Sequence, residues 1–228
     1  MENPNENILH RHFIIYKPYG YLSQFANNDI SKHKKKLLGE FYQFPEKIMA
    51  IGRLDEKSEG LLLLTTDGNM SELVRSSNVE KEYFAEVDGD ITSEAMESLK
   101  NGVEIGFGGI KYTTKPCNVY KLNEIPNLPE RGKKLRDNRH GPTNWVSITL
   151  TEGKFRQVRK MTAAVGFPTL RLIRVRVGTI HINDMKAGEV KEILHLDCAC
   201  LPDRQARCDE IEFGLCISTA LDVTKFDN

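Results

Sequence analysis

The sequence predicts an α/β chain in which short strands alternate with a few amphipathic helices. Three observations carry this. HFIIYKP, GLLLLTT, KEYFAEVDG and WVSITLTEG are apolar or alternating runs of strand length. SEAMESLKNG and KFRQVRKMTAAVG repeat apolar residues at helical spacing and stop at glycine. Turn residues part these runs at short intervals.

In chain order, residues 1–11 read as a disordered leader, without the charged and apolar regions of a signal peptide. HFIIYKP (12–18) is a strand ended by Pro18 and Gly20. SKHKKK is an exposed basic segment. KIMAIGRLD and GLLLLTT read as two strands or buried segments parted by EKSE, and Ser71 caps a short helix, SELVRSS. KEYFAEVDG (81–89) alternates, with Tyr83, Ala85 and Val87 on one face. Thr92 caps SEAMESLKNG. Residues 103–121 suggest strands around a GFGG turn, and 122–143 a long exposed loop. WVSITLTEG (145–153) is a strand. KFRQVRKMTAAVG (154–166) is a helix with Phe155, Val158, Met161, Thr162 and Val165 inward and Arg156, Arg159 and Lys160 on the other side. In LRLIRVRVGTIHI (170–182), Ile173, Val175 and Val177 oppose Arg174 and Arg176. Residues 198–228 form a C-terminal extension of unassigned role.

The net charge is zero, but it is unevenly spread. Residues 131–178 hold twelve Lys and Arg against only Asp137 and Glu152. Such a stretch suits a polyanion-binding surface, or simply a set of solvated faces. No window is apolar enough to span a membrane. Five cysteines without a secretory signal point to free thiols and a cytoplasmic location. Cys198, Cys200, Cys208 and Cys216 do not have zinc-site spacing, and six scattered histidines give none either. Phosphate-loop, Gly-x-Ser-x-Gly and HExxH motifs are missing. No metal and no cofactor is expected.

What remains is acid, base and cationic chemistry. In AIGRLDEKSEGLLLLTTDG, Asp55 closes a strand-like run between apolar neighbours. It reads either as a turn residue satisfied by backbone N–H groups or as a carboxylate nucleophile. A single carboxylate fits attack at a sugar or base carbon better than a hydrolase needing two. Tyr83 reads as a half-buried strand tyrosine or a stacking ring, Arg159 as a solvated cation or the partner of a carboxylate.

GRLDEKSEGLLLLTTDG closely resembles the catalytic motif of the RsuA/RluB/RluE/RluF branch of pseudouridine synthases, GRLDxxTxGLLLLTNDG, with Ser58 for Thr and Thr66 for Asn. KEYFAEVDG resembles its second motif, K-x-Y-x-V-x-V-x-G. EGKFRQVRKM resembles its third, EGRNRQVRRM. KPYG and GEVKEI match its opening K-P-x-G and closing G-E-W-R-E-L. The motifs are co-linear over about residues 12–196.

The resemblance implies a catalytic domain over 12–197 with a mixed, mostly antiparallel central sheet flanked by helices, in two lobes around a cleft. It implies isomerisation of a uridine to pseudouridine in large-subunit ribosomal RNA without a cofactor, by a monomer. Asp55 would be the nucleophile, Tyr83 would stack on the uracil, and Arg159 would pair with Asp55 and aim it. Arg53, Arg156, Gln157, Lys160, Arg174 and Arg176 are the RNA-contact candidates. The leucines after Asp55 would supply a dry wall. An RNA-binding assembly factor that kept the fold but lost activity is the alternative.

Overall fold

The computed structural model describes residues 9–26, 35–76, 79–134, 141–194 and 196. Most of the leader, part of SKHKKK, Arg136, Arg139 and the C-terminal extension with its four cysteines lie outside them.

Among the described residues, eleven strands and three α-helices follow one another as β1 (His12–Lys17), β2 (Met49–Ala50), β3 (Glu59–Thr65), α1 (Gly68–Ser76), β4 (Lys81–Asp88), α2 (Ser93–Asn101), β5 (Glu104–Phe107), β6 (Ile110–Thr113), β7 (Asn118–Lys121), β8 (Thr143–Leu150), α3 (Gln157–Ala164), β9 (Thr169–Val177), β10 (Ile180–His181) and β11 (Val190–Ile193). Nine strands form one sheet in the order β11-β1-β3-β9-β4-β8-β7, with β2 beside β3 and β10 beside β9. Strands β5 and β6 make a separate hairpin. The expected mixed, mostly antiparallel sheet is borne out.

One junction is parallel. Strand β3 meets β9 through Glu59↔Ile173 and Gly60↔Arg174 alone, and this short pairing joins two antiparallel halves. The approach is close because residue 60 is glycine. A Cβ there would lie 2.3 Å from the Arg174 carbonyl oxygen and 2.7 Å from its nitrogen, and φ is +103°. Only glycine combines that backbone with that contact.

The four leucines after it are buried on both sides of β3. Leu61 and Leu63 pack with Ile14, Tyr16 and Ile173, whereas Leu62 and Leu64 pack with Phe13, Ile15 and Leu54. A strand covered on both faces carries a continuous apolar run. A third cluster holds α2 and α3 against β4 and β8 through Leu99, Met161, Ala85 and Ile148.

Several local expectations need correction. Helix α1 begins at Gly68, not near Ser71, because the Asp67 carboxylate accepts from the N–H groups of Asn69 and Met70. Of KIMAIGRLD only Met49–Ala50 is strand. The long final strand breaks at Gly178–Thr179 into β9 and β10. Helix α3 starts at Gln157, because Arg156 is left-handed with φ 52°. Phe155 therefore sits on a turn before the helix, 69% exposed, rather than on its inner face. Thr92 caps α2 as expected, accepting from the Ala95 N–H at 3.2 Å.

Two ionisable groups of this core stand out. Glu59 is 2% exposed and accepts from Arg171 at 2.9 and 3.1 Å, with Arg131 at 3.5 Å. Lys17 is fully buried on β1 and donates to the carbonyls of Pro18 and Tyr21 at 3.0 and 2.8 Å. Burial lowers its ammonium to about 8, against the opposing pull of Glu59, Asp55 and Glu56. Among the described residues no helix is long and apolar enough to cross a membrane.

Gly60→Ala is expected to destabilise the chain by roughly 2–4 kcal/mol in denaturant titrations, from strained φ and backbone overlap. A midpoint unchanged from wild type would contradict the close junction. For Lys17, the charged form is disfavoured in the folded chain, so its cost is full below pH 8, where folded and unfolded chains both hold the proton. Stability should then rise by up to about 3 kcal/mol as pH climbs from 8 toward 10. Lys17→Met should remove that slope; parallel pH profiles would contradict the assignment.

Candidate active site

Asp55 lies in the loop between β2 and β3. The segment after β1 clamps this loop. The Ser23 hydroxyl accepts the Leu54 N–H and donates to the Leu54 carbonyl, both at 2.9 Å. The Gly20 N–H donates to the Glu56 carbonyl at 2.8 Å, and Lys35 pairs with the Glu56 carboxylate at 2.9 Å. On the far side, the Ser58 N–H closes a turn onto the Asp55 carbonyl at 3.0 Å. The backbone on either side of Asp55 is thereby fixed, and its side chain is 22% exposed.

The carboxylate opens into a cleft of about 1190 Å³. Tyr83, on β4, lines the same cleft. The register of β4 against β9 slips between Glu82 and Tyr83, so that Tyr83 faces Arg174 while Glu82 faces Arg176. A bulge of this kind re-aims a side chain. Because Arg174 also pairs with Gly60, Tyr83 and the strand after Asp55 are set by one residue of β9. Seven cations border the cleft (Arg53, Arg75, Lys81, Lys115, Lys154, Arg156 and Arg174) against the carboxylates Asp55, Glu56 and Glu152.

The cation facing Asp55 is Arg156, with Nη1 3.9 Å from Oδ2. Its left-handed backbone turns the chain at the entrance of α3. This corrects the expected Asp55–Arg159 pair. Arg159 instead donates to the carbonyls of Lys57 at 2.9 Å and Thr169 at 3.1 Å, bridging α3 to the Asp55 turn and to β9. Burial, and then Arg156, push its guanidinium below the ordinary value, with Asp55 acting the other way.

The RNA-contact candidates divide. Arg53 is exposed and Arg156 borders the cleft. Arg174 borders it too, but is buried, with Nε donating to the Leu61 carbonyl at 2.7 Å. Arg176 is committed to Glu82 at 3.0 Å and Glu80 at 2.9 Å. Gln157 is buried, accepting the Lys154 N–H and donating to Glu152. Lys160 donates to the Gly106 carbonyl at 2.6 Å. Alternation and helical spacing put these cations on common faces, whereas internal acceptors redirect them. The wall of the cleft is also less leucine-rich than expected: of Leu61–Leu64, only Leu63 borders it.

Nothing in the sequence pattern marks the positioning role of Ser23. A serine 31 positions from its partner leaves no local signal.

The family model described as RNA pseudouridylate synthase matches residues 11–164. Ribosomal large subunit pseudouridine synthase E of Vibrio parahaemolyticus is 39% identical over 193 residues, which is 83% of this chain and 77% of that protein. The protein of the same name from Xanthomonas campestris is 40% identical over 178 residues, 77% of this chain and 91% of its own. A crystal structure of a pseudouridylate synthase shares the fold, with TM-score 0.64 and 24% identity over 81% of this chain and 70% of that one. A strand order joined at one glycine, a carboxylate and tyrosine in one cationic cleft, and these matches agree: the chain belongs to the RNA pseudouridylate synthase family.

Proposed function

We propose that this chain isomerises a specific uridine to pseudouridine in large-subunit ribosomal RNA, with Asp55 as the nucleophile. The observation that carries this reading is one cation-lined cleft that holds a backbone-clamped carboxylate, a tyrosine and an arginine 3.9 Å from that carboxylate. The names of the relatives support the substrate class.

Asp55 attacks the target nucleotide and the N1–C1′ glycosidic bond breaks. The freed uracil turns in the cleft, C5 bonds to C1′ as the bond made by Asp55 breaks and releases the carboxylate, and the proton leaving C5 is balanced by one gained at N1. No atom is added or lost. Tyr83 stacks on the base during the turn, an interaction worth about 1–3 kcal/mol. Arg156, 3.9 Å away, draws and aims the carboxylate by ionic attraction. Arg159 acts through the backbone, holding the turn after Asp55 to α3. Arg53, Lys115 and Lys154 suit phosphate, and binding through them weakens with salt. Flipping the uridine out of its helix costs a few kcal/mol, which these contacts offset.

On this reading residues 12–197 form the catalytic domain, and the reaction takes place in the cytoplasm. A monomer suffices, because a single chain supplies the cleft.

Asp55→Asn should abolish pseudouridine formation in large-subunit RNA and leave RNA affinity within about tenfold, or ~1.4 kcal/mol. Turnover equal to wild type would sink the nucleophile assignment. An inactive wild-type protein that binds RNA would favour the assembly-factor reading.

A further inference from the structure

We propose that Phe155 is a stacking platform for an unpaired RNA base beside the target uridine. The inference rests on the RNA-substrate reading above and adds a second base-binding position to it.

Phe155 is 69% exposed, and it borders the same cleft as Asp55. A scattered exposed apolar side chain is ordinary, but this one is placed and charged. It occupies the turn before α3, next to left-handed Arg156, whose guanidinium reaches Asp55. Lys160 lies over its ring at 5.3 Å from the centroid. The same ammonium lies 3.8 Å from the centroid of Phe107 and donates to the Gly106 carbonyl at 2.6 Å, so the cation under the ring is itself fixed. Lys154 precedes Phe155 and borders the cleft with Lys115.

A π face open to water, backed by a fixed cation and flanked by phosphate-binding lysines, has the chemistry of single-stranded RNA binding. A protein partner would match the phenyl ring but has no use for the surrounding cations. The third motif quoted above carries asparagine at this position, so the ring is a feature of this chain that the motif does not require. An unpaired base next to the flipped uridine is also the kind of base RNA-binding proteins read, since the major groove of paired RNA is too narrow.

The test compares wild type, Phe155→Ala and Phe155→Trp for affinity to unmodified large-subunit ribosomal RNA. It also compares turnover of the ribosomal RNA segment that wild type modifies, with abasic nucleotides placed in turn on each side of the uridine. Phe155→Ala should raise Kd and KM by about 5- to 150-fold while kcat stays within about twofold, and Phe155→Trp should restore both. At one flanking position an abasic site should weaken wild type and leave Phe155→Ala no weaker. Unchanged Kd and KM in the alanine variant, a loss confined to kcat, or equal abasic penalties in both proteins would each overturn the proposal. Unchanged RNA binding by a variant that loses a protein partner would do the same. Wild type that binds RNA through Phe155 but never converts a uridine would fault the isomerase reading and leave the stacking platform standing.

Discussion

The architecture depends on one close backbone approach, Gly60 of β3 against Arg174 of β9. Two antiparallel halves of the sheet meet there through a parallel contact only two residues wide. Parallel pairing is the less stable kind per residue, and so short a run has little hydrogen bonding of its own. Its persistence comes from the leucines that follow on β3, buried on both faces, and from the Arg174 side chain, which donates to the Leu61 carbonyl. The functional consequence is positional. Asp55 lies five residues before Gly60, and Tyr83 stands opposite Arg174 on β4. The joint that closes the sheet also brings the carboxylate and the tyrosine to one cleft.

A second principle sorts the many arginines. Cations drawn out of solvent need carboxylate or carbonyl partners: buried Arg171 and Arg174 find them in Glu59 and Leu61, and half-buried Arg131 and Arg176 in Glu59 and in Glu80 and Glu82. Arg131 also stacks on Tyr19, 4.3 Å from its ring centroid, tying the long loop to the segment that clamps Asp55. Removing one member of the buried Glu59–Arg171 pair strands its partner, at a cost of about 3–5 kcal/mol. The cations left facing the cleft are fewer than the basic stretch suggests. They gather from several parts of the chain, with Arg53 and Lys115 outside that stretch.

The strands were legible because their apolar runs are long and their turns carry glycine. Thr92 gave away the start of α2 for the same local reason. The start of α3 was not legible, since KFRQVRKM keeps helical spacing straight through Arg156 and only the left-handed backbone there breaks it. That one turn exposes Phe155 and hands the contact with Asp55 to Arg156 in place of Arg159. The motifs placed Asp55 and Tyr83 in one reading, and both border one cleft. What supports them was hidden, because Ser23 reaches Leu54 over 31 positions and Arg171 reaches Glu59 over 112, separations that no local pattern records.

The most direct measurement is a map of pseudouridines in large-subunit ribosomal RNA from cells with and without this gene, and from cells restored with wild type or with Asp55→Asn. The account predicts that one site vanishes on deletion, returns with wild type and stays absent with Asp55→Asn. An unchanged map in the deletion, or a site restored by Asp55→Asn, would contradict it.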